Sequence, residues 1–351
     1  MAPTKLLVTG ATGYMGGSFL AQILASSNPA IKALEISALI RKQEQADLLT
    51  AKGVKPILFR SLDDVEDLRK HASEHDFVLN GAVGFHTASA KALIEGLGER
   101  RKATGQDVYY IQNSGTSNLG DNPITRKFTH PEGKVFSDKE NIYRYMRERE
   151  DREPYSQRTS DLTVIELGKA LGVTTHIIMS PMVYGPGLGF FNTRSIQGPT
   201  MVKATIANGA AQYIGDGNGV WDHVHISDVA KLYELVVGKI AAGEKIPSGE
   251  QGVYFASNGQ HSWKEAAELT SQAGYELGAL KSPTPVSVSL EGGGKSLGGG
   301  NAQLAELGFA SRSVTNAELS RSLGWKPQKT EADWQASFKE EFQYFLEKSK
   351  A

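Results

Sequence analysis

The 351-residue chain has no cysteine. That absence excludes disulfides, thiolate nucleophiles and cysteine-ligated zinc or iron–sulfur clusters together. Net charge is nearly absent as well: 38 Lys and Arg against 39 Asp and Glu leave a formal −1 at pH 7. Nothing in that balance recruits nucleic acid or an anionic membrane surface. No apolar run approaches the ~20 residues that span a bilayer. The opening Met1-Ala2-Pro3-Thr4-Lys5 passes straight into an apolar strand pattern, so the expectation is no secretory leader and a cytoplasmic location. What is present, 40% hydrophobic residues, is ample for one large or two intimately joined domains.

The stretch Val8-Thr9-Gly10-Ala11-Thr12-Gly13-Tyr14-Met15-Gly16-Gly17 follows the apolar run Leu6-Leu7-Val8 and leads into helically spaced apolar residues. Strand, glycine turn and helix make a phosphate cradle. Glycines let the backbone turn tightly and approach a pyrophosphate, whose charge is drawn to the unpaired N–H groups and positive dipole end of the helix. The spacing is G-x-x-G-x-x-G, and it lacks the G-K-S/T ending of an ATP-type loop. Gly10, Thr12, Gly13, Tyr14, Met15 and Gly16 are therefore candidate cofactor-binding residues.

A second strand is expected over residues 33–40, ending at Arg41-Lys42. An acidic residue there accepts the adenosine ribose hydroxyls, whereas a basic one accommodates a 2′-phosphate. The carboxylate of this strand, Glu35, lies at its wrong end, so Arg41 and Lys42 favour NADP over NAD, the alternative being ordinary solvated loop cations. Further strands are expected over 54–59, 76–82, 108–113 and 176–180, with helices over 45–52, from 61, over 86–103 and over 159–171. This alternation gives an α/β protein with a parallel sheet covered by helices on both faces. Ligands of such sheets sit beyond the carboxyl ends of the strands, which brings Gly10 to Gly16, Arg41, Leu62, Asn80, Gly81, Ala82, Val83, Ser114 and Thr116 to one rim.

Elsewhere, the run over 144–153 interleaves opposite charges at helical spacing and reads as a solvated helix face. Residues 192–208 mix polar and apolar types without clear periodicity, and the glycine-rich 292–300 reads as a flexible surface loop. A half-buried strand over 221–226 precedes a helix starting at Ser227-Asp228, with Asp228 as its cap, and a strand over 253–256 precedes a helix capped near Ser262. His223 and His225 share a strand face, but with no matching third ligand a structural or substrate-lining role is preferred and no metal is expected. Trp221, Phe190 and Phe191 either wall a substrate pocket or belong to the core.

Four segments in order resemble the extended short-chain dehydrogenase/reductase superfamily, which includes nucleotide-sugar epimerases and dehydratases. They are Thr9-Gly10-Ala11-Thr12-Gly13-Tyr14-Met15-Gly16, Pro181-Met182-Val183-Tyr184-Gly185-Pro186-Gly187, Asp222-His223-Val224-His225-Ile226-Ser227-Asp228-Val229-Ala230, and Leu323-Gly324-Trp325-Lys326-Pro327. Asn113-Ser114-Gly115-Thr116-Ser117-Asn118 and Arg158-Thr159-Ser160-Asp161 are similar to a fungal-type, nucleoside-diphosphate-sugar-epimerase-like subgroup. The resemblance implies a doubly wound, Rossmann-type domain over 1–185 and a smaller mixed α/β substrate region over 186–351, with segments around 220–260 returning to the first domain. It also implies a homodimer, and it adds Pro181 and Val183 to the cofactor-binding set.

One departure bears on chemistry. The superfamily's hydride-transfer enzymes use Y-x-x-x-K, yet an ungapped comparison places Glu153 at the tyrosine and Gln157 at the lysine. A local gap brings Tyr155 into the site with Arg158 as the nearby cation; otherwise Tyr155 is a structural aromatic and Arg158 pairs locally. Ser114 and Thr116 either hydrogen-bond a reacting carbonyl, as the resemblance implies, or satisfy their own turn. The expected function is an NADP-dependent oxidoreductase or epimerase/isomerase acting on a small organic carbonyl or alcohol, with Ser114, Thr116, Tyr155 and Arg158 as catalytic candidates. The alternative motivated by the missing pair is an NmrA-like, non-catalytic cofactor sensor with a protein partner; a third is non-redox use of the fold.

Overall fold

The structure, a computed structural model, describes residues 4–348. β1 (Lys5–Thr9) runs into α1 (Tyr14–Leu24), and a single helical turn, α2 (Pro29–Lys32), precedes β2 (Glu35–Ile40). The alternation continues through α3 (Gln43–Thr50), β3 (Lys55–Leu58), α4 (Val65–Ser73), β4 (Phe77–Asn80), α5 (Thr87–Thr104) and β5 (Tyr109–Gly115). A polar segment holding β6 (Phe136–Ser137) and α6 (Ile142–Arg152) separates these from α7 (Ser156–Leu171) and β7 (Thr174–Ser180). Next come β8 (Met182–Tyr184), α8 (Gln197–Asn208), β9 (Gln212–Ile214), β10 (Val220–His225), α9 (Ile226–Ala241) and β11 (Val253–Phe255). The last part holds β12 (Gly259–Ser262), α10 (Trp263–Glu276), β13 (Val286–Val288), α11 (Leu290–Ser296) and α12 (Ala302–Phe309). β14 (Thr315–Asn316), α13 (Glu318–Ser322) and α14 (Glu331–Lys348) complete it.

Seven parallel strands make the central sheet, in the order β11-β7-β5-β4-β1-β2-β3. Helices cover both faces, which is why Leu6, Leu7, Val8, Phe77, Val78 and Leu79 are all wholly buried and read as unbroken apolar runs. On one layer α4, α5 and α7 pack side by side; α1 packs against α9. The chain leaves β1 toward β2 and β3 and then crosses back to β4 on the other side of β1. That reversal opens a crevice above β1 and β4, where ligands of such sheets bind.

Smaller sheets, β12-β10-β8, β13-β9 and β14-β6, stand beside the main one. A second apolar cluster, which includes Trp221, Trp263, Trp334, Phe309, Phe338 and Phe342, holds the first two to the helices, while Phe136 of β6 joins the main core.

Three expectations are corrected. The glycine-rich stretch expected as a loop contains α11, because Ser289 accepts the amide of Gly292 as an N-cap and Gly293 lets the helix close onto Ile214, where a Cβ would lie 2.5 Å from the Ile214 side chain. The charged run forms α6, but it is not solvated all round: Arg149 and Glu150 are buried, while Arg144 pairs Glu148 and Arg147 pairs Asp151 outside. Asp228 does not cap α9. His225 does, and Asp228 instead accepts the amides of Gln328 at 3.0 Å and Lys329 at 2.9 Å, clamping the segment that leads to α14.

Candidate functional site

A cleft of about 860 Å³ opens at the carboxyl ends of the strands, where the crossover predicts it. Gly10, Thr12, Gly13, Tyr14 and Met15 form its floor. Gly10 has φ +67°, and a Cβ there would sit 2.4 Å from the carbonyl oxygen of Gly81. α1 starts from Gly13 with no side-chain cap and no acid in its first turn, so its leading N–H groups are left for an incoming anion. Tyr14 donates its hydroxyl to the Gly185 carbonyl at 2.8 Å, fixing the start of α1 against the segment beyond β8.

Arg41 lines the cleft just beyond β2, and among the described residues no hydrogen bond or ion pair engages its guanidinium. Glu35 lies at the opposite end of that strand, in register with Lys5. Leu62, Gly81, Ala82 and Val83 continue the wall beyond β3 and β4, and Pro181 and Val183 close it beyond β7. Asp63 also lines this end; a hydrogen bond from His86 at 3.0 Å holds its carboxyl below the usual range.

At the β5 end, Ser114 lines the cleft and donates to Asp161 Oδ2 at 2.5 Å. Asn118 Nδ2 donates to the same oxygen at 2.7 Å and lies 3.3 Å from Ser114 Oγ. Asp161 is wholly buried, and burial pushes its carboxyl up to about 8. Gln157, one turn earlier on α7, also lines the cleft and accepts from Ser117 Oγ at 2.6 Å.

Several candidates stand elsewhere. Gly16 is not in the cleft wall; it packs against the turn, where a Cβ would lie 2.4 Å from the Gly10 carbonyl oxygen. Lys42 points to Glu44 at 3.5 Å, both largely exposed. Asn80 is buried beneath the rim, accepting from Thr9 at 2.5 Å and donating to Tyr110 at 2.8 Å and Gln112 at 3.0 Å. Thr116 begins a short 3-10 turn and is also buried away from the cleft.

Tyr155 and Arg158 are likewise off the wall. Tyr155 donates to Ser117 at 3.1 Å, and burial pushes its hydroxyl up to about 12. Arg158 has no exposed surface and holds the carbonyls of Asn118 and Glu153 at 3.0 and 2.8 Å. Neither of these two side chains lines the cleft. Glu153 pairs with Arg149 at 3.3 Å instead.

Trp221 is core, and His223 lies 3.2 Å from His261 in a stack with Trp334. Phe190 and Phe191 pack half-buried against the main core rather than lining the cleft. Among the described residues no cluster of three or more His, Cys, Asp or Glu could hold a metal ion. The sequence reading missed Phe85, His86, Asn113, Arg194 and Gln197 on the cleft wall. Arg194 belongs to a segment without periodicity, and its neighbours Glu341 at 3.3 Å and the Tyr344 ring at 3.6 Å lie about 150 positions away, so no local signal marked it.

Residues 130–249 match the NAD dependent epimerase/dehydratase family. A relative from Acremonium sp, named Oxidase ucsJ, is 28% identical over 92% of this chain and 92% of its own. The epimerase/dehydratase architecture recurs in the dTDP-glucose 4,6-dehydratase DesIV of Streptomyces venezuelae, solved with NAD and TYD bound. Its TM-score is 0.65 at 19% identity, covering 98% of this chain and 97% of that one. UDP-glucose 4-epimerase of Thermus thermophilus, in complex with NAD, gives a TM-score of 0.61 at 18% identity, with 97% and 99% covered. The chain thus shares the fold of these epimerase and dehydratase structures.

Proposed function

We propose that the chain binds NADP in this cleft and acts as an oxidoreductase or epimerase on a small organic carbonyl or alcohol. The observation that carries the reading is the run from an unengaged Arg41, across the uncapped start of α1, to Ser114, all on one cleft wall. The residues present fit the group. The backbone of Gly10 to Met15 would hold the pyrophosphate and Arg41 the 2′-phosphate, with Leu62, Gly81, Ala82, Val83, Pro181 and Val183 as the surrounding wall. When bound, the nicotinamide ring supplies or accepts the electron pair that interconverts carbonyl and alcohol. Ser114, which lines the cleft, would hydrogen-bond the reacting oxygen.

Val83 and Phe85 are 54% and 41% exposed on the cleft wall, and Ile196 is 79% exposed. Such apolar surface supports an organic substrate with an apolar body over a sugar nucleotide. The name of the Acremonium relative, an oxidase, agrees with redox use of the fold. Among the described residues no observation favours the non-catalytic sensor. A homodimer and a cytoplasmic location complete the reading, the first resting on the family resemblance and the second on the sequence. Transfer of label from NADPH, isotopically marked at the reactive carbon, across a panel of ketones and aldehydes tests it. We expect transfer to at least one apolar carbonyl, falling on the order of 100-fold in Ser114→Ala. Tight NADPH binding with label retained against the whole panel would contradict catalysis.

A further inference from the structure

The family resemblance implies a tyrosine and a lysine as proton donor and its partner, and the cleft holds neither at the corresponding positions. Gln157 faces the cleft there and carries no titratable group, while Glu153 is turned to Arg149. Tyr155 commits its hydroxyl to Ser117 and lies off the wall. At this end a carboxyl meets the cleft through one intervening hydroxyl: Asp161 behind Ser114.

We propose that Asp161 is the proton reservoir of the cleft and acts through Ser114 Oγ, in place of a tyrosine–lysine pair; this rests on the oxidoreductase reading above. Gln157 and Asp161 are four apart on α7, so they share the helix face turned to the end of β5. Ser114 Oγ stands 2.5 Å from Asp161 Oδ2, and Asn118 Nδ2 steadies the same oxygen at 2.7 Å. Among the described residues Asp161 Oδ1 has no hydrogen-bond partner. A buried carboxylate with an unpartnered oxygen is costly when ionised, and taking up a proton relieves that cost.

Charged and titratable neighbours face Asp161 from several elements: Arg158 on its own helix, Tyr155 just before that helix, Tyr110 on β5 and Tyr233 on α9. The three tyrosines are all pushed up by burial, so they stay neutral where Asp161 titrates. Arg158 pulls Asp161 down, but its own charge is already paired with Glu150 at 3.3 Å. Asp161 is therefore the group in this cluster that changes charge near neutral pH.

In alcohol oxidation the substrate O–H bond breaks and its proton goes to Ser114 Oγ. The Oγ–H bond breaks in turn, and its proton goes to Asp161 Oδ2, converting carboxylate to acid. The oxidised nicotinamide dinucleotide, when bound, would accept the electron pair of the carbinol C–H bond with its hydrogen. Carbonyl reduction reverses each transfer. Serine is unchanged in either direction, and one proton and one hydride are exchanged. Asp161 is in these terms a positioning and proton-holding residue, and Ser114 the catalytic one.

The test compares wild type, Asp161→Asn and Ser114→Ala by three measurements: NADPH binding by fluorescence, infrared titration of the protonated-carboxyl band, and the pH profile of turnover with the carbonyl found in the panel. The proposal expects an acid band that titrates near pH 8, absent from Asp161→Asn and displaced in Ser114→Ala. It expects turnover to fall about 100- to 1,000-fold in Asp161→Asn with loss of the limb near pH 8, while NADPH affinity moves less than about 3-fold. Turnover and pH profile unchanged in Asp161→Asn would overturn the proposal and leave the NADP reading standing. If that variant does not fold, Ser114→Ala decides: a retained limb and an unmoved band overturn the proposal, and loss of both supports it. Failure of wild type to bind NADPH strikes the parent reading instead, and the infrared titration still reads the Ser114–Asp161 pair.

Discussion

Arg158 is fully buried, and its guanidinium ties together the carbonyls of Asn118 and Glu153 and the carboxylate of Glu150. It therefore fixes the 3-10 turn that follows β5 and the junction between α6 and α7, the two supports of the Ser114 end of the cleft. Arg158→Met would strand a buried carboxylate and two carbonyls. We expect it to destabilise the fold by about 3–5 kcal/mol, read from the urea midpoint; a change below about 1 kcal/mol would show that the junction does not depend on this pair. Of the two roles the sequence left open for Arg158, the local pairing is the one its contacts display. A tyrosine with a cation three positions on resembles a catalytic pair, but helix phase turns Gln157 toward the cleft, Asp161 toward Ser114 behind it and Arg158 toward the loop. Phase relative to a sheet edge is a tertiary property that spacing along one helix cannot supply. Asp161 was visible in the sequence only as part of a motif resemblance, because its significance comes from complete burial against Ser114.

Among the elements, the strands of the main sheet were the most legible, since burial on both faces writes them as short continuous apolar runs. The glycine turn was legible for a related reason: Gly10 and Gly16 sit where backbone meets backbone and no side chain fits. Within that turn the split between lining and packing glycines was not readable, because it depends on the close approach of Gly16 to Gly10 and Gly81, which only the folded chain brings about. α8 lay hidden in a segment whose apolar face, Met201, Val202 and Ala204, meets distant parts of the chain in the second cluster. α14 buries Trp334, Phe338 and Phe342 along 18 residues, with Phe345 and Leu346 partly buried against the second cluster, a narrow stripe on a helix that is otherwise mostly polar and charged. α11 went unread because local glycine content outweighed a capping serine that only the packed structure brings into use.

The molecule as a whole carries three histidines that burial pushes down to about 4: His130, His176 and His223. Each is neutral in the fold and ordinary, near 6.5, in the unfolded chain. Their stabilisation is present above about pH 6.5 and is lost as pH falls toward the folded values near 4, since the unfolded state then binds more protons. Asp161 works in the opposite sense: its neutral form is favoured by the fold, so its contribution is present at low pH and lost as pH rises through about 8. We expect the thermal midpoint to drop as pH falls from about 6.5 to 4 and the drop to steepen in Asp161→Asn. A midpoint flat over that range would contradict the burial of the histidines.

At the same scale, we propose that one end of the central sheet takes an anion-bearing ligand with a second phosphate at Arg41, which lines the cleft. Calorimetric titration of NADPH and NADH into wild type and Arg41→Ala tests that claim most directly. A charge-assisted contact to phosphate is worth about 1.5–3 kcal/mol, so we predict that wild type prefers NADPH and that Arg41→Ala loses about 10- to 100-fold in NADPH affinity while NADH moves less than about 3-fold. Equal affinities for the two dinucleotides together with indifference to Arg41→Ala, or no saturable binding of either, would contradict it.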